Sequence, residues 1–305
     1  MTSARYLGVS FLKGRIQLAE VEHAKTVQLT TLAERETAID FAQAGVNLAP
    51  NHPQLNTFVK ELGETIKQHK ISTGHISFAL PTDPVFINII PVDGSLKGPE
   101  LGQYVQWEVD QYFPNVPPKE FLTTTQPLPE TTSQVKQLFV VCVRRGMVGF
   151  LQKASTELKL KLHLVDIDHF STEKTLLQNY PEVSDHPVAL FGLKYGGVDA
   201  SVVLNGTMID YRTFVANSVE ETKKAIQNYL KYLKERNSIK VPSAMFLHGN
   251  EVAPEMPKAL FKETGVQCVA LNAVRKLAAS SKLYKPFVQE SYRFAGAIGL
   301  ALRKA

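Results

Sequence analysis

Two short turns carry the residues best suited to chemistry. LGVSFLKGRIQLAEVE (7–22) sets alternating apolar runs on either side of Lys13-Gly14, the pattern of a β-hairpin. Some ATP-binding folds open with such a hairpin, and its turn holds phosphate. Backbone N–H groups reach a phosphate only where no side chain stands in the way. A second turn of this type is KYGG, within PVALFGLKYGGVDASVVLNGTMIDYRTFV (187–215). Lys13, Arg15 and Lys194 are cations at these turns, placed either to attract an anion or to sit in solvent. DIDH (166–169), with His163 close by, invites a metal reading. Strand alternation sets Asp166 and Asp168 against His163, which favours a strand end followed by a helix cap. His248-Gly249 in LHGN reads as a tight turn. No GxSxG, HExxH or Walker A pattern is present.

The elements that would position these turns follow from periodicity. After the hairpin come a strand at 27–34, a polar Asn- and Pro-containing stretch at 45–54, and a helix in HPQLNTFVKELGETIKQHK. That helix has Leu55, Phe58, Val59, Leu62 and Ile66 as one stripe. HISFALP (75–81) reads as a strand. Residues 82–160 have their own rhythm, strand VFINIIPV, helix 99–113, strand 134–145 and a further helix, which reads as an inserted β-α-β-α unit. A strand at 161–168 and a helix follow. The second half opens with two more hairpins, and Asn205-Gly206 is a strong type I′ signal. Ser218 and Glu221 form a capping box before a helix of 219–236. SAMFLHGN, a helix, VQCVAL and a C-terminal helix over 288–303 complete the chain. Each half therefore opens with a hairpin and continues into alternating helix and strand.

The chain has 305 residues, 44% of them hydrophobic, enough for about two domains with a sizeable core. No apolar run approaches the ~18 residues of a membrane span, and no signal peptide is evident. Cys142 and Cys268 lie in strand-like runs without a CxxC, as expected of buried thiols in a reducing compartment. The net charge is +5, with basic residues at Lys159, Lys161, Lys223-Lys224, Lys231–Lys240 and Arg303-Lys304. These are either solvated helix faces or a surface attracted to anionic headgroups or an acidic partner. No zinc-finger spacing or aromatic RNP run supports nucleic-acid binding.

Two such halves are the organisation of the actin-like ATPase fold, and the middle of the chain narrows the resemblance. ALPTDPVFINIIPV, QWEVDQYFP (106–114), VRRGMVGFLQKA (143–154), VDIDHF (165–170) and ESYRFAGAIGLALR (290–303) together resemble PilM. PilM is the cytoplasmic actin-like component of the type IV pilus machine and a relative of the division protein FtsA. The resemblance implies an α/β, duplicated ribonuclease H-like fold. Residues 1–186 would form subdomain I, containing the insert of about 82–160. Residues 187–305 would form subdomain II with a reduced lid, and the C-terminal helix would return to subdomain I.

Carried over position by position, the nucleotide site of that family departs from its pattern here. Its first phosphate turn has an acid followed two residues later by glycine, where this chain has Ser10 and Leu12. Its second turn has the same pattern, where this chain has Gly192 and Lys194. Its glycine-rich adenosine motif keeps Gly249 but is flanked by His248 and Asn250. Hydrolysis of this kind needs carboxylates to position magnesium and water, and both matching acids are absent; Asp199 lies in the next strand. The connection 216–242 is too short for the family's lid. The expectation is a pseudo-ATPase with no cofactor, or weak Mg-ATP binding at most.

The resemblance also implies a partner, the short cytoplasmic tail of a single-span inner-membrane protein, docked beside the inserted unit. On the 99–113 helix, Leu101, Val105, Val109 and Tyr112 share one face, while Tyr104 and Trp107 lie off its centre. Trp107 then either packs on a neighbouring subdomain or walls a groove for that tail. The reading is a scaffold, cytoplasmic and peripheral at the inner membrane. The alternatives are an ATPase with non-standard residues, and the cytoplasmic part of a type II secretion platform, against which the missing membrane span speaks.

Overall fold

The computed structural model describes residues 4–129, 134–236 and 241–304. In chain order the elements are β1 (Ala4–Leu12), β2 (Arg15–His23), β3 (Val27–Glu36), α1 (Phe41–Ala44), α2 (Leu55–Gln68), β4 (His75–Leu80), β5 (Phe86–Asp93), α3 (Gly98–Tyr112), β6 (Phe121–Pro127), β7 (Val135–Arg144), α4 (Arg145–Glu157), β8 (Lys161–Ile167) and α5 (Asp168–Asn179). The second half contributes β9 (Val188–Lys194), β10 (Gly197–Leu204), β11 (Thr207–Val215), α6 (Val219–Glu235), β12 (Ala244–His248), α7 (Met256–Thr264), β13 (Gln267–Ala270), β14 (Ala278–Ala279), α8 (Lys285–Gln289) and α9 (Ala295–Ala301).

Three sheets result. One has the order β14-β3-β2-β1-β4-β8, the second β11-β10-β9-β12-β13, and the third β5-β7-β6. In both large sheets an antiparallel meander leads into parallel strands through β1–β4–β8 and β9–β12–β13. This is the actin-like α/β arrangement, and it puts the two hairpin turns, Lys13-Gly14 and Tyr195-Gly196, at facing strand ends. Gly14 and Gly196 both adopt positive φ (65° and 78°), as do Asn205 (52°) and Gly206 (72°), so each turn residue type matches the backbone that its turn requires.

Local signals explain the helices. Leu55, Phe58 and Leu62 of α2 are buried against Phe11, Phe41 and Phe150, the period expected of an amphipathic helix. At α6 the Ser218 hydroxyl accepts from the Glu221 N–H at 3.2 Å, and the Glu221 carboxylate accepts from the Asn217 N–H at 2.6 Å. This is a reciprocal cap. Part of the short 216–242 connection, residues 237–240 including Lys240, lies outside the described residues. No described helix is long and apolar enough to cross a membrane. Both cysteines are buried and free.

Three details differ from the sequence reading. The small sheet gains β6, whose Thr123-Thr124-Thr125 run is β-branched and exposed, suited to an edge strand. Helix α4 leaves that unit: Met147, Phe150, Leu151 and Ala154 form its buried stripe and join the core of the six-stranded sheet. The C-terminal helix is broken. The Ser291 hydroxyl accepts from the Ala273 N–H at 3.1 Å, and residues Ser291–Phe294 form a 3-10 turn between α8 and α9. Helix α9 is then buried along its length against α5, β1 and β2.

Candidate functional site

A cleft of about 790 Å³ lies between the two large sheets, walled by both hairpin turns, by Thr82-Asp83, by residues 248–252 and by Glu290, Tyr292 and Arg293. Leu12, Gly192, Lys194, His248, Gly249 and Asn250 line it, and Ser10 meets Asp168 on its wall.

Lys194, at the end of β9, reaches across the cleft. Its Nζ meets the Thr82 hydroxyl and lies 3.4 Å from both Asp83 Oδ2 and Asp199 Oδ2. Asp199 also accepts from Thr82 Oγ1 (2.9 Å) and Tyr211 Oη (3.0 Å). An ammonium thus occupies the carboxylate-lined space where a cation would neutralise an anionic ligand. At the rim, the Lys13 Nζ sits 3.4 Å above the Tyr195 ring, so the two turns touch through a cation–π contact. Arg15 pairs with Glu34 at 2.6 Å and Glu36 at 3.6 Å. Lys13 and Arg15 stay exposed, as solvated turn residues should, whereas Lys194 departs from that reading: it is half-buried against Thr82, Asp83 and Asp199.

The absence of acids at the matching positions does not empty the cleft of carboxylates. Ser10 Oγ donates to Asp168 Oδ1 at 2.5 Å, and Asp168 begins α5 rather than ending a strand. Burial is the main cause that raises its carboxyl to about 6, opposed by the Ser10 hydrogen bond and helped by Asp199 and Asp166. Leu12 is half-buried at the cleft wall.

Gly192 faces two imidazoles. A Cβ there would lie 2.8 Å from His248 Nε2 and 2.9 Å from His169 Nδ1. The two rings are buried and hydrogen-bonded to each other at 3.1 Å; His169 Nε2 lies 2.9 Å from Ser201 Oγ, and His248 Nδ1 lies 3.4 Å from Thr172 Oγ1. His248 is therefore a buried strand-end residue, not a turn residue. Gly249 has φ +100°, and a Cβ would fall 2.2 Å from the Leu193 carbonyl oxygen. Asn250 Oδ1 accepts from Arg293 Nε (3.1 Å) and Gln17 Nε2 (3.3 Å), and Arg293 reaches Glu34 at 2.9 Å. LHGN is thus a junction between the sheets. Imidazoles occupy the space beside Gly192, and the Lys194 ammonium faces Asp83 and Asp199. Among the described residues no cluster of three or more metal-ligating side chains occurs.

The histidine pair sits in a network with Glu173, whose Oε1 accepts from Ser201 Oγ at 3.4 Å. Burial pushes His169 down to about 3 and His248 well below 6.5, with His169 adding to the latter. Burial pushes the Glu173 carboxyl up to about 8, with the Asp166 charge adding to it. The signs oppose one another. Between about pH 4.5 and 6 the unfolded chain binds two protons on imidazole and the folded chain two on the carboxyls of Glu173 and Asp168, so these four groups together leave stability flat. Above 6.5 only the folded Glu173 holds a proton, and stability falls toward pH 8. Below 4.5 the unfolded chain binds more protons, and stability falls again. Urea midpoints measured from pH 4 to 9 should peak near 6.5, and Glu173→Gln should remove the alkaline decline. A midpoint rising steadily from pH 7 to 8 in the parent protein would contradict this assignment.

On the small sheet, Val105 and Val109 bury α3 against Ile90, Leu138 and Val140. Trp107 is 56% exposed on the opposite side, so it does not pack on a neighbouring subdomain. Its ring lies 5.9 Å from that of Tyr104, whose hydroxyl donates to Glu108 at 2.7 Å. Tyr112, expected on the buried stripe, is exposed and leans on Phe86 at 4.8 Å.

Comparison with known proteins gives a consistent result. The family model described as type IV pilus assembly protein PilM matches residues 14–214. A solved PilM-PilN type IV pilus biogenesis complex is similar at 18% identity and TM-score 0.76, covering 98% of each chain. Ethanolamine utilization protein EutJ from Carboxydothermus hydrogenoformans follows at 10% identity and TM-score 0.49, over 99% of this chain and 90% of that one. A Bacteroides thetaiotaomicron protein with actin-like ATPase fold matches at 10% identity and TM-score 0.45, over 92% and 91%. No curated protein matches the chain.

Proposed function

The chain belongs to the type IV pilus assembly protein PilM family, and from that premise we propose that it is a non-catalytic scaffold of a type IV pilus or related secretion machine. Its partner is the short cytoplasmic tail of a single-span inner-membrane protein, which holds it peripherally at that membrane. The similar PilM is itself solved with a partner, PilN. Residues 1–186 and 187–305 are read as two actin-like subdomains, and the small sheet as the insert of the first. The observation that carries the non-catalytic reading is Lys194, whose ammonium crosses the cleft to Thr82, Asp83 and Asp199. A second reading, an ATPase with non-standard residues, is favoured by one observation, the half-buried Asp168 facing the cleft.

Tyr104 and Trp107 are the proposed tail contacts, an aromatic pair left open on α3. A peptide copying the cytoplasmic tail of the single-span protein encoded next to this gene tests them. Trp107 emission should shift on binding, and Tyr104→Ala with Trp107→Ala should weaken binding about tenfold with an unchanged melting temperature. Unchanged affinity in the folded variant would place the tail elsewhere.

A further inference from the structure

A groove of about 830 Å³ separates the small sheet from the five-stranded sheet. Residues 87–89 of β5 and 209–214 of β11 line it consecutively. Side chains on a strand alternate between faces, so an unbroken run means that the strand edges, not their faces, border the groove. Both are outermost strands of their sheets, with backbone donors and acceptors left unpaired by their own ladders. The wall also carries charge. The Arg212 guanidinium lies over the Tyr232 ring at 3.5 Å. Asp210 is taken by Arg236 at 2.9 Å and Tyr229 at 2.8 Å, and among the described residues Arg212 makes no ion pair. A stacked guanidinium keeps its planar edge free for a carboxylate.

We propose that this groove takes an extended, carboxylate-bearing segment of a partner protein as an added strand, paired to β11 and anchored by its acid on Arg212. Added strands gain affinity from main-chain hydrogen bonds and specificity from side-chain pockets. The surface is separate from the tail contacts. Ile90, Leu138 and Val140 face α3, whereas Ile87, Ile89 and Phe139 of the same sheet face Met208 and Tyr211. Trp107 on α3 and the groove at the β5 edge are therefore separate surfaces, and a scaffold with both can join two components.

Edge cations also discourage self-pairing, and the experiment separates that role from docking. Amide hydrogen exchange of the full chain is followed with a capped ten-residue Ser/Val alternating peptide carrying a central glutamate, and with its central-lysine counterpart. The glutamate peptide should slow exchange across residues 207–215, bind at least tenfold tighter than the lysine peptide, and leave Trp107 emission unchanged. Arg212→Gln should remove that preference without moving the urea midpoint. Unslowed β11 amides, equal affinity for both peptides, or protection that grows with protein concentration alone and tracks a dimer in sedimentation would each overturn the proposal. Loss of tail binding at Trp107 with β11 protection intact would count against the scaffold reading and leave this one standing.

Discussion

Lys194→Met should lower folding stability by about 2 kcal/mol while phosphate release from Mg-ATP stays at background in both the variant and the parent. The side chain of Asp199 is 6% exposed and that of Lys194 24%. Removing one partner of a fully buried pair costs about 3–5 kcal/mol because the other charge stays desolvated. The partial exposure of Lys194 and the hydrogen bonds from Thr82 and Tyr211 to Asp199 reduce that. Asp199→Asn in the Lys194→Met background should recover part of the loss, since an amide still accepts from both hydroxyls, and a double-mutant cycle reads the coupling directly. Added Mg-ATP sharpens the test. A ligand at a thousand times its Kd stabilises the native state by about 4 kcal/mol, whereas the Lys194-filled cleft should show no appreciable shift in Tm. A micromolar, salt-resistant calorimetric isotherm, or turnover that disappears with Lys194, would instead favour the ATPase reading.

How much of this site could be read from sequence depended on the range of the interactions. Asn205-Gly206, Ser218 with Glu221, and the stripe of α2 act within a few residues, and each stands in the structure as its pattern implies. Lys194 was recognisable as a lysine where the resemblance expects glycine, but its partners Thr82 and Asp83 are more than a hundred residues away. No periodicity reports such a contact. The same holds for Asp168 over Ser10 and for His169 against His248, where packing brings residues far apart in the chain together. DIDH looked like a strand end because Asp168 follows an alternating run. Its partial cover comes from α9, whose glycines allow an approach that composition alone does not reveal. The polar run of β6 carried no core signal, because an edge strand needs few apolar residues.

That approach makes α9 the most sensitive element of the fold. It lies between β1 and α5 with a glycine at each contact. A Cβ on Gly299 would fall 1.9 Å from the Ser171 carbonyl oxygen, and one on Gly8 2.0 Å from the Ala297 carbonyl oxygen. Both obstacles are backbone atoms within regular elements, so no side-chain rotamer relieves them. The helix would have to move bodily, and with it the seat of Asp168, since Gly296 packs on that carboxyl. Overpacking in a dense core costs about 1–3 kcal/mol where side chains can shift. Here Gly8→Ala and Gly299→Ala should each cost about 3 kcal/mol, a large share of the ~5–15 kcal/mol that holds a domain folded. Gly102 provides the internal control. It is exposed in α3 with open space around its Cβ position, so Gly102→Ala should stabilise by about 0.5–1 kcal/mol through helix propensity alone. Urea denaturation of the three variants reads both signs, and midpoints for Gly8→Ala and Gly299→Ala matching that of the parent protein would show that α9 is not clamped between β1 and α5.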